Sequence, residues 1–202
     1  GVEIAGNLEG LARQVGGRLD VTLVSQSTLL ERFAPALRGV VRASFDRRNV
    51  RVVEHASAHC FEESQAILQD GERIAFDVAF NAGGIRPSGV FRDSDISTAR
   101  DGGLPVNAYL QCTDYPNVFG AGDCIAFMPR PLQRVGVYAV RQSPVLCANL
   151  IAAMSGGTLR SFRPQERYLS ILNLGGGRGV AAWGPLVVSG RLALAFKHYI
   201  DR

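Results

Sequence analysis

Apolar residues in the first quarter of the chain follow the spacing of alternating helices and strands. Residues 2–15 carry apolar side chains at helical spacing, and Gly16-Gly17 ends the helix that they predict. The nearly continuous apolar run over residues 20–25 predicts a buried strand of a parallel sheet. A helix over residues 36–48 and a strand over residues 50–54 follow. This alternation predicts an α/β fold built on a Rossmann-like parallel sheet.

The pattern then shortens to the spacing of strands. A two-residue turn at Asp70-Gly71 predicts a hairpin over residues 66–76. Residues 77–84 predict a strand that ends in Gly83-Gly84. A plain turn would account for two glycines, but Ile85-Arg86-Pro87 directly after them favours a close approach of the backbone to a ligand.

The second half of the chain predicts one long helix and a small, strand-rich end. The helix covers residues 131–154 and ends at Gly156-Gly157, and Pro144 either kinks it or lies in its first turn. Short apolar runs follow, separated by glycines. They predict strands over residues 168–174, 180–183 and 186–188 and a final helix over residues 191–199. We therefore expect a small C-terminal α+β domain.

Composition narrows the classes of protein and of site. The 202 residues are 47% hydrophobic, and the net charge of +4 comes from scattered basic residues, so nucleic-acid binding is not expected. The four cysteines form no C-x-x-C pair, and we interpret His55, His59 and Cys60 as incidental surface residues, so no metal site is predicted. No apolar run is long enough for a transmembrane helix, and a cytoplasmic protein is expected.

The most specific chemical pattern is the segment from Thr113 to Asp123. A short apolar strand is predicted to end there in the pair Gly122-Asp123, at a turn. Glycine allows the backbone to approach a ligand closely, and the aspartate carboxylate is a strong, charged acceptor for ligand hydroxyls. This arrangement is typical of the way a flavoprotein holds the sugar-alcohol chain of FAD, a cofactor that carries redox chemistry.

A second nucleotide signal lies in the first residues. Gly1 with Val2-Glu3 fits the last glycine of a G-x-G-x-x-G turn, whose helix would face a pyrophosphate, although an ordinary helix start explains it equally well. An acidic residue would bind the ribose 2′-hydroxyl of NAD, but Ser25 stands near that place, with Arg32 further on. Serine tolerates NADH and NADPH alike, so the choice between them stays open.

These segments together resemble the pyridine nucleotide-disulfide oxidoreductases, which are flavoproteins with two dinucleotide-binding domains. Within that superfamily the chain is most similar to type II NADH dehydrogenases, and to the related flavoprotein module that is fused to selenide, water dikinase. The matching segments cover nearly the whole chain. They are Gly1-Val2-Glu3, Val21–Val24, Ala82–Pro87, Thr113–Cys124, Arg134–Gln142 and Asn173-Leu174-Gly175.

The resemblance implies roles for single residues. Glu3 would lie near the nicotinamide and the flavin, where it orients the carboxamide or relays a proton. The segment from Val135 to Gln142 would lie against the flavin ring, where the family admits a quinone or another acceptor. The expected cofactor-binding residues are Gly1, Ser25, Gly83, Gly84, Gly122, Asp123 and Val135, and the expected catalytic residues are Glu3 and Gln142.

The resemblance also implies that the chain is a fragment. Residues 1–84 would be the C-terminal part of an NAD(P)-binding domain that lacks its first strand, and residues 85–158 the C-terminal part of an FAD-binding domain. Residues 159–202 would form a C-terminal hairpin and helix domain that serves homodimerisation or contact with a membrane surface. The N-terminal FAD half is missing, so we expect this fragment to bind FAD poorly or not at all.

The implied function is an FAD-dependent NAD(P)H oxidoreductase, which transfers a hydride from the nicotinamide to the flavin and electrons to a quinone-like acceptor. The segment Val135–Tyr138 departs from the usual quinone-site sequence, which leaves the acceptor open. A sulfide:quinone oxidoreductase that uses Cys124 or Cys147, and a non-catalytic flavoprotein-like module, are the alternatives. Residues 191–200 suit a helix at the inner face of a membrane, although packing on its own domain or on a partner explains them as well.

Overall fold

The computed structural model describes the backbone of residues 1–200 and the side chains of residues 1–196. These residues form two compact units. Residues 1–83, with the described residues from 167 onward, form the first unit, and residues 84–166 form the second. The C-terminal residues from 167 thus cluster with the first unit rather than standing apart as a third. The assignment of residues 1–84, 85–158 and 159–202 to an NAD(P)-binding, an FAD-binding and a C-terminal domain stays a prediction.

The first unit begins with the predicted alternation of helices and strands. Helix α1 is followed by strand β1, helix α2 and strand β2, and the two strands pair in parallel. Pro35 opens α2, where its fixed φ suits the first turn of a helix. The bounds are Val2–Gln14 for α1, Thr22–Val24 for β1, Pro35–Asp46 for α2 and Arg51–Val53 for β2. The α/β fold with parallel pairing is confirmed.

An antiparallel sheet of three strands follows in the same unit, formed by β3 (Ala58–Glu62), β4 (Gln65–Leu68) and β5 (Arg73–Ala75). The predicted hairpin with its turn at Asp70-Gly71 is confirmed, and it joins β4 to β5. Strand β3 was not predicted, because all five of its residues are exposed and its sequence carries no alternation of buried and exposed positions.

The strand predicted over residues 77–84 is wrong. These residues are irregular, and Val78 and Phe80 are 70% and 58% exposed. A strand needs a hydrogen-bonded neighbour for its backbone, and within the described residues this segment pairs with none of the named strands. The apolar residues suit a buried strand, but their sequence does not specify the partner.

The second unit contains a short helix α3 (Val90–Asp93), the parallel strands β6 (Leu104–Val106) and β7 (Ile125–Phe127), and the long helix α4 (Gly136–Ser155). The predicted apolar strand before Gly122 is reduced to an isolated bridge between Gln111 and Phe119. The regular strand β7 comes after Gly122-Asp123 instead of before it. Thus the Gly-Asp pair begins a one-turn 3-10 helix at the start of β7.

Helix α4 begins five residues later than predicted, contains Pro144 in its interior, and ends at Gly156 in the left-handed conformation with φ 69°. Its buried face carries Gln142 and Asn149, which are 1% and 0% exposed, whereas Met154 is 89% exposed. Asn149 donates to the carbonyl oxygens of Tyr109 and Arg160 and accepts from the Arg160 N–H. Polar side chains therefore attach this helix to neighbouring loops.

The C-terminal elements return to the first unit. Strands β8 (Ser170–Asn173), β9 (Gly179–Trp183) and β10 (Leu186–Gly190) form an antiparallel sheet in the order β10-β9-β8, and α5 (Arg191–Ile200) follows. The prediction of a strand-rich end with a final helix is confirmed. Within the part of the chain that the structure describes, none of the helices has both the length and the apolar content needed to span a membrane.

Candidate cofactor site

The site in the second unit is built on the turn at Gly122. Gly122 has φ 73°, a left-handed conformation in which an L side chain is strained. A Cβ added to Gly122 would also lie 3.3 Å from the Cβ of Ala139 on α4. The positive φ favours glycine here, and the nearby Ala139 leaves little space for a side chain, so the glycine of the Gly-Asp pair has a physical explanation.

Helix α4 supports this turn from one side. The Gly122 N–H donates a hydrogen bond of 2.6 Å to Oε1 of Gln142, a side chain that is almost completely buried. Because a backbone N–H can only donate, the side-chain atom that faces it must be the carboxamide oxygen. The structure thus brings the predicted residues Gly122 and Gln142 into direct contact.

Arg134 supports the turn from the other side. Its Nε donates to the carbonyl oxygen of Asp123 at 2.8 Å, and its Nη2 donates to Oδ2 of Asp101 at 2.7 Å. A longer contact of 3.4 Å joins Nη2 to the carbonyl oxygen of Ile125. The sequence pattern gave neither Asp101 nor Arg134 a role of its own, since their contact spans 33 residues of sequence.

The charge of Asp101 is stabilised in this arrangement. Partial burial opposes its ionisation, but hydrogen bonds from Arg134 and from the Gly103 N–H, with the positive charge of Arg134, outweigh that effect. The pKa of Asp101 therefore lies below its usual value. An ionised Asp101 keeps the guanidinium of Arg134 oriented toward the Asp123 carbonyl.

The carboxylate of Asp123 contrasts with its fixed backbone. Within the described residues, neither a hydrogen bond nor an ion pair engages the Asp123 carboxylate, and Asp123 is half-buried. It lines a cavity of about 340 Å³ in the second unit, which combines apolar walls with a few polar groups. The lining includes the predicted residues Gly122, Asp123, Val135 and Gln142, together with Asp101 and Arg134.

These features fit the sugar-alcohol chain of a flavin cofactor. An ionised carboxylate accepts hydrogen bonds from ligand hydroxyls, and the glycine turn leaves space for the ligand beside it. Four of the predicted site residues thus converge on one cavity, and Asp101 and Arg134 complete its wall.

The first unit contains the other predicted site residues. Gly1 precedes α1, and a Cβ added to it would lie 3.0 Å from Cδ1 of Leu23 on β1 and 3.9 Å from the Cβ of Ala82. The start of α1, the end of β1 and the glycine segment that includes Gly83 are therefore neighbours. Gly84 has φ 105° and is the first residue of the second unit.

The edge formed by β1 and β2 carries Ser25 directly after β1. Its N–H donates to the Val53 carbonyl at 2.8 Å, and its carbonyl accepts from the Ala56 N–H at 3.0 Å. The neighbouring acid, Glu54, accepts hydrogen bonds from the Leu29 N–H and from Arg42. The Leu29 hydrogen bond and the Arg42 charge hold the pKa of Glu54 below its usual value despite some desolvation.

Glu3 lies in the first turn of α1, where it contacts the C-terminal sheet. Its Oε1 accepts a hydrogen bond of 2.8 Å from the N–H of Asn173 at the end of β8, and Oδ1 of Asn173 accepts from the Gly175 N–H. Its predicted role beside the nicotinamide stays a prediction. In the structure Glu3 links α1 to the β8–β9 turn.

The fold is that of the Rossmann-like, dinucleotide-binding flavoproteins. Residues 1–146 match the model of the pyridine nucleotide-disulphide oxidoreductase family, and the chain belongs to that family. The family implies FAD and NADH or NADPH as cofactors.

Individual relatives agree with this assignment. The type II NADH:quinone oxidoreductase of Staphylococcus aureus strain MSSA476 is 27% identical over 148 residues, which cover 70% of this chain and 36% of the relative. The same enzyme of strain NCTC 8325 / PS 47 matches with the same identity and coverage. The chain therefore spans about a third of the length of the curated relatives it matches.

Solved structures show the same fold at lower identity. The sulfide:quinone oxidoreductase of Aquifex aeolicus is 16% identical with a TM-score of 0.77, covering 98% of this chain and 52% of that chain. A ferredoxin reductase of Rhodopseudomonas palustris is 19% identical with a TM-score of 0.63, covering 86% of this chain and 43% of that chain. At these identities the likeness concerns the fold alone.

Proposed function

We propose that this chain is part of an FAD-dependent NAD(P)H oxidoreductase that delivers electrons to a quinone-like acceptor. The observation that carries the proposal is the carboxylate of Asp123, which has no partner among the described residues and lines the cavity while its backbone is held by Arg134. Bound FAD would accept a hydride from the reduced nicotinamide and pass the electrons on.

The residues of the chain have separate tasks in this proposal. Asp123 accepts hydrogen bonds from the flavin sugar-alcohol chain, and Gly122 keeps that approach open. Gly1, at the N-terminus of α1, and Gly83 contact the nicotinamide dinucleotide, because helix N-termini and glycine turns favour phosphate groups. Ser25 faces the ribose at the edge of β1. Val135 lines the cavity ahead of α4, whose N-terminus stabilises negative charge nearby.

A quinone-like acceptor is favoured by the curated relatives, which are NADH:quinone oxidoreductases. The sulfide:quinone oxidoreductase alternative depends on Cys124 or Cys147. The thiol of Cys124 donates to the Ala121 carbonyl at 3.1 Å, and Cys147 is exposed on α4. We therefore rank that alternative second.

We also propose that the C-terminal sheet and α5 contact a membrane surface. Large apolar side chains are exposed there: Trp183, Leu186, Leu192 and Phe196 are 60%, 66%, 81% and 49% exposed. Tryptophan and apolar residues on one surface suit the headgroup region of a bilayer. The basic Lys197 of the predicted interfacial helix lies outside the described side chains. Homodimerisation through the same surface is the competing proposal.

Anaerobic titration of the full-length protein tests the redox proposal. Excess NADH or NADPH should bleach the flavin absorbance, and a soluble quinone should restore it. Asp123→Ala should abolish stoichiometric flavin, whereas Asp114→Ala, an exposed acid in the preceding loop, should retain it. Flavin that binds but is not bleached by either nucleotide would contradict the proposal and leave the sulfide:quinone oxidoreductase and the non-catalytic alternatives.

Vesicles test the surface proposal separately. The protein should co-sediment with liposomes of phosphatidylglycerol and phosphatidylcholine, and Trp183→Ser with Leu192→Ser should release it. Substitution of the exposed Phe61 and Val78 in the first unit by serine is the matched control. Failure of the wild-type protein to co-sediment at low salt, or equal release by the control, would contradict membrane contact.

A further inference from the structure

We propose that Gln142 is a positioning residue that fixes the left-handed turn at Gly122 and thereby aims the carboxylate of Asp123, rather than a residue that reacts with the electron acceptor. This inference rests on the proposed function, since it assigns the carboxylate to FAD. The hydrogen bond from the Gly122 N–H to the side chain of Gln142 does not require a bound cofactor, so it can be tested in the protein without FAD.

The Gly122 N–H needs an acceptor from outside its own short helix. Gly122 opens a one-turn 3-10 helix, and the first N–H groups of any helix have no partner within it. Such a donor is costly when it is removed from water without an acceptor. Oε1 of Gln142, at 2.6 Å, supplies that acceptor from a side chain that is 1% exposed.

Asn149 lies on the same face of α4 as Gln142 and also binds backbone groups of loops. Gln142 and Asn149 are seven residues apart, which places them on one face of the helix two turns from each other. Both are buried amides that bind backbone groups of distant loops. The face therefore serves to hold loops in place, and Gln142 holds the loop that carries Asp123.

The backbone around Gly122-Asp123 is held at both ends. The peptide group before Gly122 is held by Gln142, and the peptide group after Asp123 is held by Arg134 at 2.8 Å. The Gly122-Asp123 pair is therefore anchored at both ends, which restricts the direction of the Asp123 side chain before a ligand arrives. A preorganised acceptor loses less entropy when it binds a flexible chain of hydroxyls.

The experiment compares Gln142→Leu with Asn149→Leu in the full-length protein. Both variants replace a buried amide on the same face of α4 by leucine. For Gln142→Leu, hydrogen–deuterium exchange of the peptide that contains Gly122 should accelerate about tenfold, and the FAD dissociation constant should rise about fivefold to tenfold. For Asn149→Leu, thermal stability should fall while both quantities stay within about twofold.

Further readouts make the result decisive. Quinone reduction per bound flavin should stay within about twofold in Gln142→Leu, because the proposed role ends once FAD is held. A large loss of turnover per flavin with unchanged FAD affinity would overturn the proposal, as would unchanged exchange at Gly122.

A second variant covers the case in which Gln142→Leu does not fold. Gln142→Glu keeps an oxygen acceptor and should preserve the protection of the Gly122 N–H from exchange; loss of that protection in Gln142→Glu overturns the proposal. If the wild-type protein binds no FAD, the proposed function fails, while the exchange comparison still tests the contact.

Discussion

Arg48 and Glu9 form an ion pair that is largely closed to water, with side chains that are 13% and 6% exposed. Glu9 lies on α1 and Arg48 follows the end of α2. The same guanidinium donates to the carbonyl oxygens of Gly6 on α1 and Leu174 after β8. One side chain therefore joins both helices to the end of β8, and this connection is one of the contacts between the C-terminal sheet and the rest of the first unit.

Replacement of Arg48 should strongly destabilise the first unit. Arg48→Met leaves two carbonyl oxygens and part of the Glu9 carboxylate without their donor, which costs about 3 kcal/mol in the free energy of unfolding. Arg13 still pairs with Glu9, which keeps the loss at the lower end of the range for buried pairs. Urea unfolding measures the change.

The control is the pair of Arg73 with Glu62, whose side chains are 55% and 54% exposed. Arg73→Met should change the free energy of unfolding by less than about 1 kcal/mol, because water screens exposed pairs. Equal losses for Arg48→Met and Arg73→Met would show that the buried connection does not hold the elements together.

Close backbone packing between α1 and the turn after β8 gives a second prediction. A Cβ added to Gly6 would lie 2.5 Å from the Leu174 carbonyl oxygen, and backbone cannot move aside as a side chain can. Gly6→Ala should therefore lower the free energy of unfolding by about 2 kcal/mol through overpacking.

Gly39 on α2 is the matched control for that substitution. A Cβ at Gly39 meets no atom within 4 Å, so alanine gains helix propensity without a clash. Gly39→Ala should raise the midpoint of urea unfolding by an amount equivalent to up to about 1 kcal/mol. The contact between α1 and the turn is refuted if both alanine variants shift the midpoint in the same direction.

Local pattern was sufficient for the elements that depend on local physics. Helical spacing, the proline before Ala36 and the glycine at 156 predicted α1, α2 and the end of α4, because these signals act within a few residues. The turn at Asp70-Gly71 predicted the β4–β5 hairpin in the same way.

Features that depend on distant partners were not predictable from the pattern. Strand β3 is exposed along its whole length and forms because β4 pairs with it. Residues 77–84 have the composition of a strand, but none of the described strands pairs with them. In the site, Gly122 and Asp123 were predicted from the local Gly-Asp pattern, and Val135 and Gln142 from the resemblance to a family. The Arg134–Asp101 pair was missed, since nothing in a single sequence links positions 33 residues apart.

Asp101 gives a prediction on pH. Its pKa is lowered in the folded protein, so its contribution to stability is present above the pKa of an unfolded aspartate, about 3.9, and is lost as the pH falls through the folded value. Asp101→Asn should remove this part of the acid-induced loss of stability. The effect should stay below about 1 kcal/mol, because the Asp101 side chain is 49% exposed.

Urea unfolding between pH 7 and pH 3 measures this dependence. Arg134→Met should likewise reduce the loss of stability between pH 7 and pH 3. In the Arg134→Met background, Asp101→Asn should add little further change. Glu54 keeps its own dependence of the same sign in every variant, since Leu29 and Arg42 are unaffected. An acid limb that is unchanged by Asp101→Asn would show that the Arg134 pair does not stabilise the ionised form.

The edge of β1 gives a prediction on nucleotide preference. Ser25 follows β1 with its backbone fixed by Val53 and Ala56, and both carboxylate oxygens of the adjacent Glu54 are engaged by Leu29 and Arg42. An acid at position 25 would accept hydrogen bonds from the ribose 2′-hydroxyl of NADH and repel the 2′-phosphate of NADPH. In the full-length protein, Ser25→Asp should move the ratio of kcat/KM for NADH over NADPH upward by about tenfold, which corresponds to about 1.4 kcal/mol of discrimination.

Stopped-flow reduction of the flavin by each nucleotide measures this ratio directly. Ser64→Asp adds the same charge in the turn between β3 and β4 and should leave the ratio unchanged, which separates a local contact from a change in net charge. Flavin content should be equal in both variants, because Ser25 lies in the first unit and Asp123 in the second. A ratio that moves equally in both variants, or that moves toward NADPH in Ser25→Asp, would place the ribose away from the end of β1.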